Sequence, residues 1–139
     1  MSTLIRPELS KKNKYYIDKH RHYELKHFCL QYPIWKRTYA ALLDLSIASS
    51  GYDNIPGGSS LSDTTAKSAM RRVYYADKIK LVEETVKETD PYLYEYLLKA
   101  VTEGLSYTYL RTILEMPCSR DMFYDRYRKF FWLLNTSRE

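Results

Sequence analysis

Residues 105–134, LSYTYLRTILEMPCSRDMFYDRYRKFFWLL, constrain the fold more than any other stretch, because two helical apolar stripes stand there on either side of a break. Leu105, Tyr109, Leu110, Ile113 and Leu114 recur at helical spacing. Phe123, Tyr127, Phe130, Phe131 and Leu134 do so again after Met116, Pro117, Cys118 and Ser119. Pro117 lacks a backbone donor and disfavours helix in the residue before it, so the first helix is expected to stop near Glu115 or Met116. Ser119 is expected to cap the second. Two short helices joined by a tight turn, the second rich in Arg, Lys and Tyr, form an arrangement that can lay one helix into a DNA groove.

Breakers are scarce in the rest of the chain, with 4 Gly and 5 Pro in 139 residues, and no alternating Val/Ile-rich run is bounded by turns. The expected class is therefore all-α, a helical bundle with an N-terminal helical pair and a C-terminal helix-turn-helix resting on a three-helix unit. The length suits one core, or one domain with a projecting helical arm. Fifteen tyrosines supply apolar rings with polar tips, which fit half-buried helix faces and nucleic-acid surfaces alike.

A first helix is expected from Lys11 or Asn13 to Gln31, interrupted by Pro33, and a second from Ile34 to Ile47 with Trp35, Tyr39, Leu42 and Leu43 as its core stripe. These two form the pair expected over residues 1–47. Residues 48–63, ASSGYDNIPGGSSLSD, read as a flexible loop. Its glycines do not make a phosphate cradle, because the Walker spacing and the Lys followed by Ser or Thr are missing. Residues 64–139 are expected to form a helical domain with the helix-turn-helix at 90–135. Its long first helix should turn Ala66, Met70, Val73, Ile79, Val82 and Val86 inward. Asp90 and Pro91 should open the next helix, with Tyr92, Leu93, Tyr96, Leu97, Ala100 and Val101 as its apolar face, and Gly104 should close it.

Charge is unevenly spread. The formal balance is +5, from 22 Lys and Arg against 17 Asp and Glu, which permits a polyanionic partner without requiring one. Residues 11–27 carry Lys11, Lys12, Lys14, Lys19, Arg21 and Lys26 against Asp18 and Glu24, whereas residues 83–103 are mainly acidic. Basic ends around an acidic middle suggest termini that share one anionic partner. Lys11, Lys12 and Lys14 are candidates for extra phosphate contacts.

On the second helix of residues 105–134, Arg120, Asp121, Tyr124 and Arg128 share the side left over once the core stripe is assigned. Arg at the start of such a helix can bond two acceptors of guanine, while Arg126 and Lys129 flank the stripe and could neutralise phosphates. The same charges would suit any solvated helix face.

The run LSYTYLRTIL, a short turn and SRDMFYDRYRKF resembles the helix-turn-helix of sigma factor region four, with the turn lengthened by roughly two residues around Pro117 and Cys118. MPCSRDMFYDRYRKFFWLL, near the end of a chain of this size, is similar to small phage transcriptional regulators of the RinA and ArpU kind. The resemblance covers residues 90–134 well and the first 60 poorly. It implies a sequence-specific regulator of late or packaging genes of a phage or prophage. It also implies that Ser106 caps the positioning helix, that Leu110 and Ile113 pack it, and that Arg120, Asp121, Tyr124 and Arg128 face DNA. The full candidate set is Ser106, Tyr107, Ser119, Arg120, Asp121, Tyr124, Asp125, Arg126, Arg128 and Lys129. Double-stranded DNA is the expected partner, with RNA polymerase and a second copy of the chain as further candidates. Two other readings stay open: a ring-forming DNA-packaging protein of the small terminase kind, and a protein-binding adaptor that acts on RNA polymerase.

Other chemistry finds little footing. His20, His22, His27 and Cys29 lack the spacing of a structural zinc site and read as packed or solvated side chains, with the histidines charging below about pH 6.5. Cys29 and Cys118, far apart in apolar surroundings, read as buried thiols. Nothing resembles a nucleophile elbow, so neither catalysis nor a cofactor or metal is expected. No apolar stretch reaches the roughly 20 residues of a membrane helix, and MSTLIRPELSKK lacks a signal peptide's apolar core. The expected location is the cytoplasm of a bacterial host cell.

Overall fold

Helices make up all the regular structure among the described residues of the computed structural model, which are 10–50 and 59–139, with side chains described for 10–47 and 64–139. They are α1 (Lys19–Leu30), α2 (Tyr32–Ser50), α3 (Ser59–Thr89), α4 (Tyr94–Glu103), α5 (Tyr107–Thr112) and α6 (Arg120–Ser137). The all-α class expected from the periodicity is the class observed. Of the loop expected over 48–63, residues 51–58 lie outside the described residues, while 48–50 end α2 and 59–63 begin α3.

The chain divides into two compact units, one made of the residues up to Gln31 with Val82–Glu139, the other of Tyr32–Leu81. Within the first of these units α1 packs against α4 and α6. Aromatic burial explains the choice. Leu25, Phe28 and Cys29 of α1 need an apolar cover, and α6 offers Tyr127, Phe130, Phe131 and Leu134, all buried. The His22 ring meets Phe131 edge-on at 4.8 Å, the Arg138 guanidinium lies 3.7 Å over Phe28, and Arg21 Nε donates to Asn135 Oδ1 at 2.6 Å. The core of this unit is completed by Val82 and Val86 of α3, Leu97, Ala100 and Val101 of α4, and Leu110 of α5.

α1 begins at Lys19, some six to eight residues later than its apolar spacing suggests. Local side-chain chemistry competes with helix there. Asn13 Oδ1 accepts from Tyr15 N at 2.9 Å and Ser10 Oγ from Lys12 N at 3.2 Å, and these turns hold residues 10–16 out of the helix. The buried Ile17 then anchors the segment.

α4 also starts late. Asp90 Oδ1 accepts from Tyr92 N at 2.9 Å and from Leu93 N at 3.3 Å, capping a turn that precedes the helix instead of opening it. Tyr92, expected on the apolar face, stands in that turn and is 93% exposed. Gly104 ends α4 as expected, at φ 70°, donating its N–H to the Ala100 carbonyl at 3.1 Å.

In the other unit, α2 buries Trp35 and Leu42, and Lys78 Nζ of α3 lies 5.4 Å over the Trp35 ring. A groove of about 340 Å³ runs between Tyr39, Ala40 and Leu43 on α2 and Ala76 and Ile79 on α3. Ile79, Val82 and Val86 are buried as the periodicity predicts, but Ala66, Met70 and Val73 are exposed, Met70 at 71% and Val73 at 59%. The described contacts of α2 with α3 lie further along, at Ala76, Lys78 and Ile79.

Candidate nucleic-acid interface

Both helices of the C-terminal pair are capped by the serines their sequence offers. Ser106 Oγ accepts from Tyr109 N at 3.1 Å and Ser119 Oγ from Met122 N at 3.2 Å. Asp121, exposed in the first turn of α6, complements the positive end of the helix dipole. α5 stops at Thr112, three or four residues before the stop expected from Pro117. The cause lies at Glu115, which adopts the left-handed φ of 56° and lets Met116 N–H return to the Leu110 carbonyl at 2.9 Å. Met116 is thereby buried and Ile113, expected to pack α5, is 61% exposed; Leu110 alone fills that role, with no exposed surface.

The turn is held by side chains as well as by backbone. Tyr107 Oη donates to the Cys118 carbonyl at 3.2 Å, and Arg111 Nη1 to the Met116 carbonyl at 3.2 Å. Tyr107 also ties the start of α5 to the start of α6: its ring lies 5.7 Å from Phe123 and 6.3 Å from Tyr124, and the Arg120 guanidinium sits 5.6 Å above it. Tyr107, Arg120 and Tyr124 thus form one cluster. Arg120 and Asp121 are exposed, Tyr124 and Arg128 half-buried. Arg128 Nε is buried without a hydrogen-bond partner.

Arg126 and Lys129 are occupied elsewhere. Arg126 Nε pairs with Asp90 Oδ2 at 3.0 Å, its Nη1 with Asp125, and Lys129 Nζ donates to the Thr89 carbonyl at 3.3 Å. The bonds of Arg126 to Asp90 and of Lys129 to Thr89 tie α6 to the junction of α3 and α4, while the Asp125 pair stays within α6. Nothing in the local sequence signals this, since Asp90 and Arg126 are 36 residues apart.

Trp132 continues the spacing of four through Arg120, Tyr124 and Arg128 along α6. At 38% exposure it packs against Tyr15, ring centroids 5.8 Å apart, and Lys14 Nζ lies 5.0 Å over the Tyr15 ring. Lys11, Lys12 and Lys14 are all exposed. They belong to the turned segment before α1, not to the helix on which they were expected.

Burial and neighbouring charge set the remaining titratable groups. His22 is pushed down to about 4, chiefly by desolvation and secondarily by the charge of Lys26, so it stays neutral at the pH where it was expected to charge. Burial pushes the Cys29 thiol far up, and that of half-buried Cys118 up as well. Among the described residues no group of His, Cys, Asp and Glu converges as a metal site would, and no helix is long and apolar enough to cross a membrane.

Compared with known families, characterised proteins and solved structures, the chain matches none.

Proposed function

We propose that this chain is a sequence-specific duplex-DNA-binding regulator whose α5–turn–α6 segment acts as a helix-turn-helix, with α6 as the recognition helix. The observation that carries the reading is the Arg120, Tyr124 and Arg128 row of α6. Once Phe123, Tyr127, Phe130, Phe131 and Leu134 are buried, Arg120, Tyr124 and Arg128 run along the edge of that buried stripe, Arg120 exposed and the other two half-buried, beginning at a serine-capped N-terminus. Arg in the first turn reaches guanine in the bidentate geometry that discriminates bases, and the amides of that turn suit a phosphate. The unpaired Arg128 Nε supports the same reading, because an unmet buried donor favours any movement of the side chain onto an acceptor. The resemblance to phage regulators of the RinA and ArpU kind adds the setting, late or packaging genes of a phage or prophage.

Selection of bound fragments from the source genome tests this. The reading predicts convergence on one short sequence, whereas recovery of fragments without a shared sequence would overturn it. A second reading, an adaptor that binds a protein such as RNA polymerase, is favoured by exposed Met70, Val73 and Tyr74 on one side of α3. Loss of polymerase binding in Met70→Glu with DNA binding intact would support it.

A further inference from the structure

The segment before α1 and the end of the α6 stripe meet at an aromatic contact, and the lysines around it form a second basic surface. We infer that residues 10–17 are a preformed arm, seated through Tyr15 on Trp132, whose Lys11, Lys12 and Lys14 grip the sugar–phosphate backbone of duplex DNA beyond the bases that α6 faces.

Three observations carry this. The arm is built before any ligand arrives: turns closed by Ser10 and Asn13 shape it, Ile17 is buried beneath it, and Tyr15 lies against Trp132. Its lysines point to solvent, with Lys14 held over the Tyr15 ring. Its position fits a duplex. Arg120 and Trp132 stand twelve residues apart on one helix, about 18 Å along the axis, and a major groove is about 12 Å wide. Twelve residues also turn about 120° round the axis, so with Arg120 over base edges Trp132 looks to the flank of the groove, where the backbone runs and ammonium groups are useful. A seated arm also loses less freedom on binding than a loose one.

The inference rests on the DNA-binding reading, and the test separates the two. The full chain is titrated with a 30-base-pair duplex of random sequence over a range of salt concentrations. Each phosphate neutralised adds close to 0.9 to the slope of log affinity against log salt, so Lys11→Gln, Lys12→Gln and Lys14→Gln together are expected to lower the slope by about two. Trp132→Ala, with every lysine present, should lower it by a similar amount, and the combined variant should go little further. The same Trp132→Ala protein, checked for unchanged helicity, should be cut faster by trypsin after Lys14. A wild-type slope retained in the triple variant would overturn the arm while leaving the DNA-binding reading in place. So would unchanged slope and unchanged cleavage in Trp132→Ala. A wild-type chain that binds no duplex at low salt would overturn both.

Discussion

The fold takes His22 out of the range in which a histidine ordinarily charges. His22 faces the Tyr23, Tyr127 and Phe131 rings with Lys26 near by, and burial keeps it neutral down to about pH 4. An unfolded histidine takes its proton near pH 6.5, so between about 6.5 and 4 the unfolded chain binds more protons than the folded one. Stability is full above that window and falls as pH drops through it, by roughly 2 kcal/mol after allowing for the ring's partial solvent contact. Thermal unfolding of His22→Leu should lose most of this slope, and a slope equal to wild type would place the acid sensitivity elsewhere. Asp90 works through both oxygens, one capping the turn before α4 and the other pairing with Arg126. Asp90→Ala is expected to cost about 2–3 kcal/mol in urea unfolding, and Asp90→Asn, which keeps an acceptor for the cap, about 1 kcal/mol. Arg126→Ala should lower stability and leave the salt slope of DNA binding unchanged. A lowered slope would return Arg126 to the phosphate contacts.

At the scale of elements, what was legible in the sequence is what local chemistry decides. Ser106, Ser119 and Gly104 act where a reading of caps puts them, and the α6 core stripe is the one its periodicity spells. The errors have physical causes of two kinds. Asn13 and Ser10 close turns that override a helical apolar pattern, and Glu115 takes a left-handed conformation for which its side chain gives no signal. Asp90 and Thr89, which meet Arg126 and Lys129, stand 36 and 40 residues earlier in the chain, so a local reading of the sequence does not see these contacts. Of the candidate interface, the stripe Arg120, Tyr124 and Arg128 was readable, whereas its seat on Tyr107 and its extension to Trp132 and Tyr15 required the fold. The left-handed Glu115 yields a further prediction. Glu115→Gly removes a side-chain clash worth about 1–2 kcal/mol and should be neutral or stabilising, while Glu115→Val should destabilise by a similar amount. Thermal midpoints of the two variants check the sign.

Charge is unevenly spread over the unit formed by the residues up to Gln31 and Val82–Glu139. Arg120 at one end of α6 and the lysines of the arm at the other belong to the same compact unit, and acidic Glu88, Glu95 and Glu103 stand on α3 and α4. Light scattering is expected to find a monomer or dimer, whereas eight or more subunits would favour a packaging ring. The central claim is that α6 reads bases, and one comparison tests it most directly. Arg120→Ala should weaken binding to the genome-selected site by roughly 1–3 kcal/mol, with a much smaller loss on random duplex at the same salt. An equal loss on both duplexes would mean that Arg120 touches only phosphate, and would contradict the assignment of α6 as the helix that reads sequence.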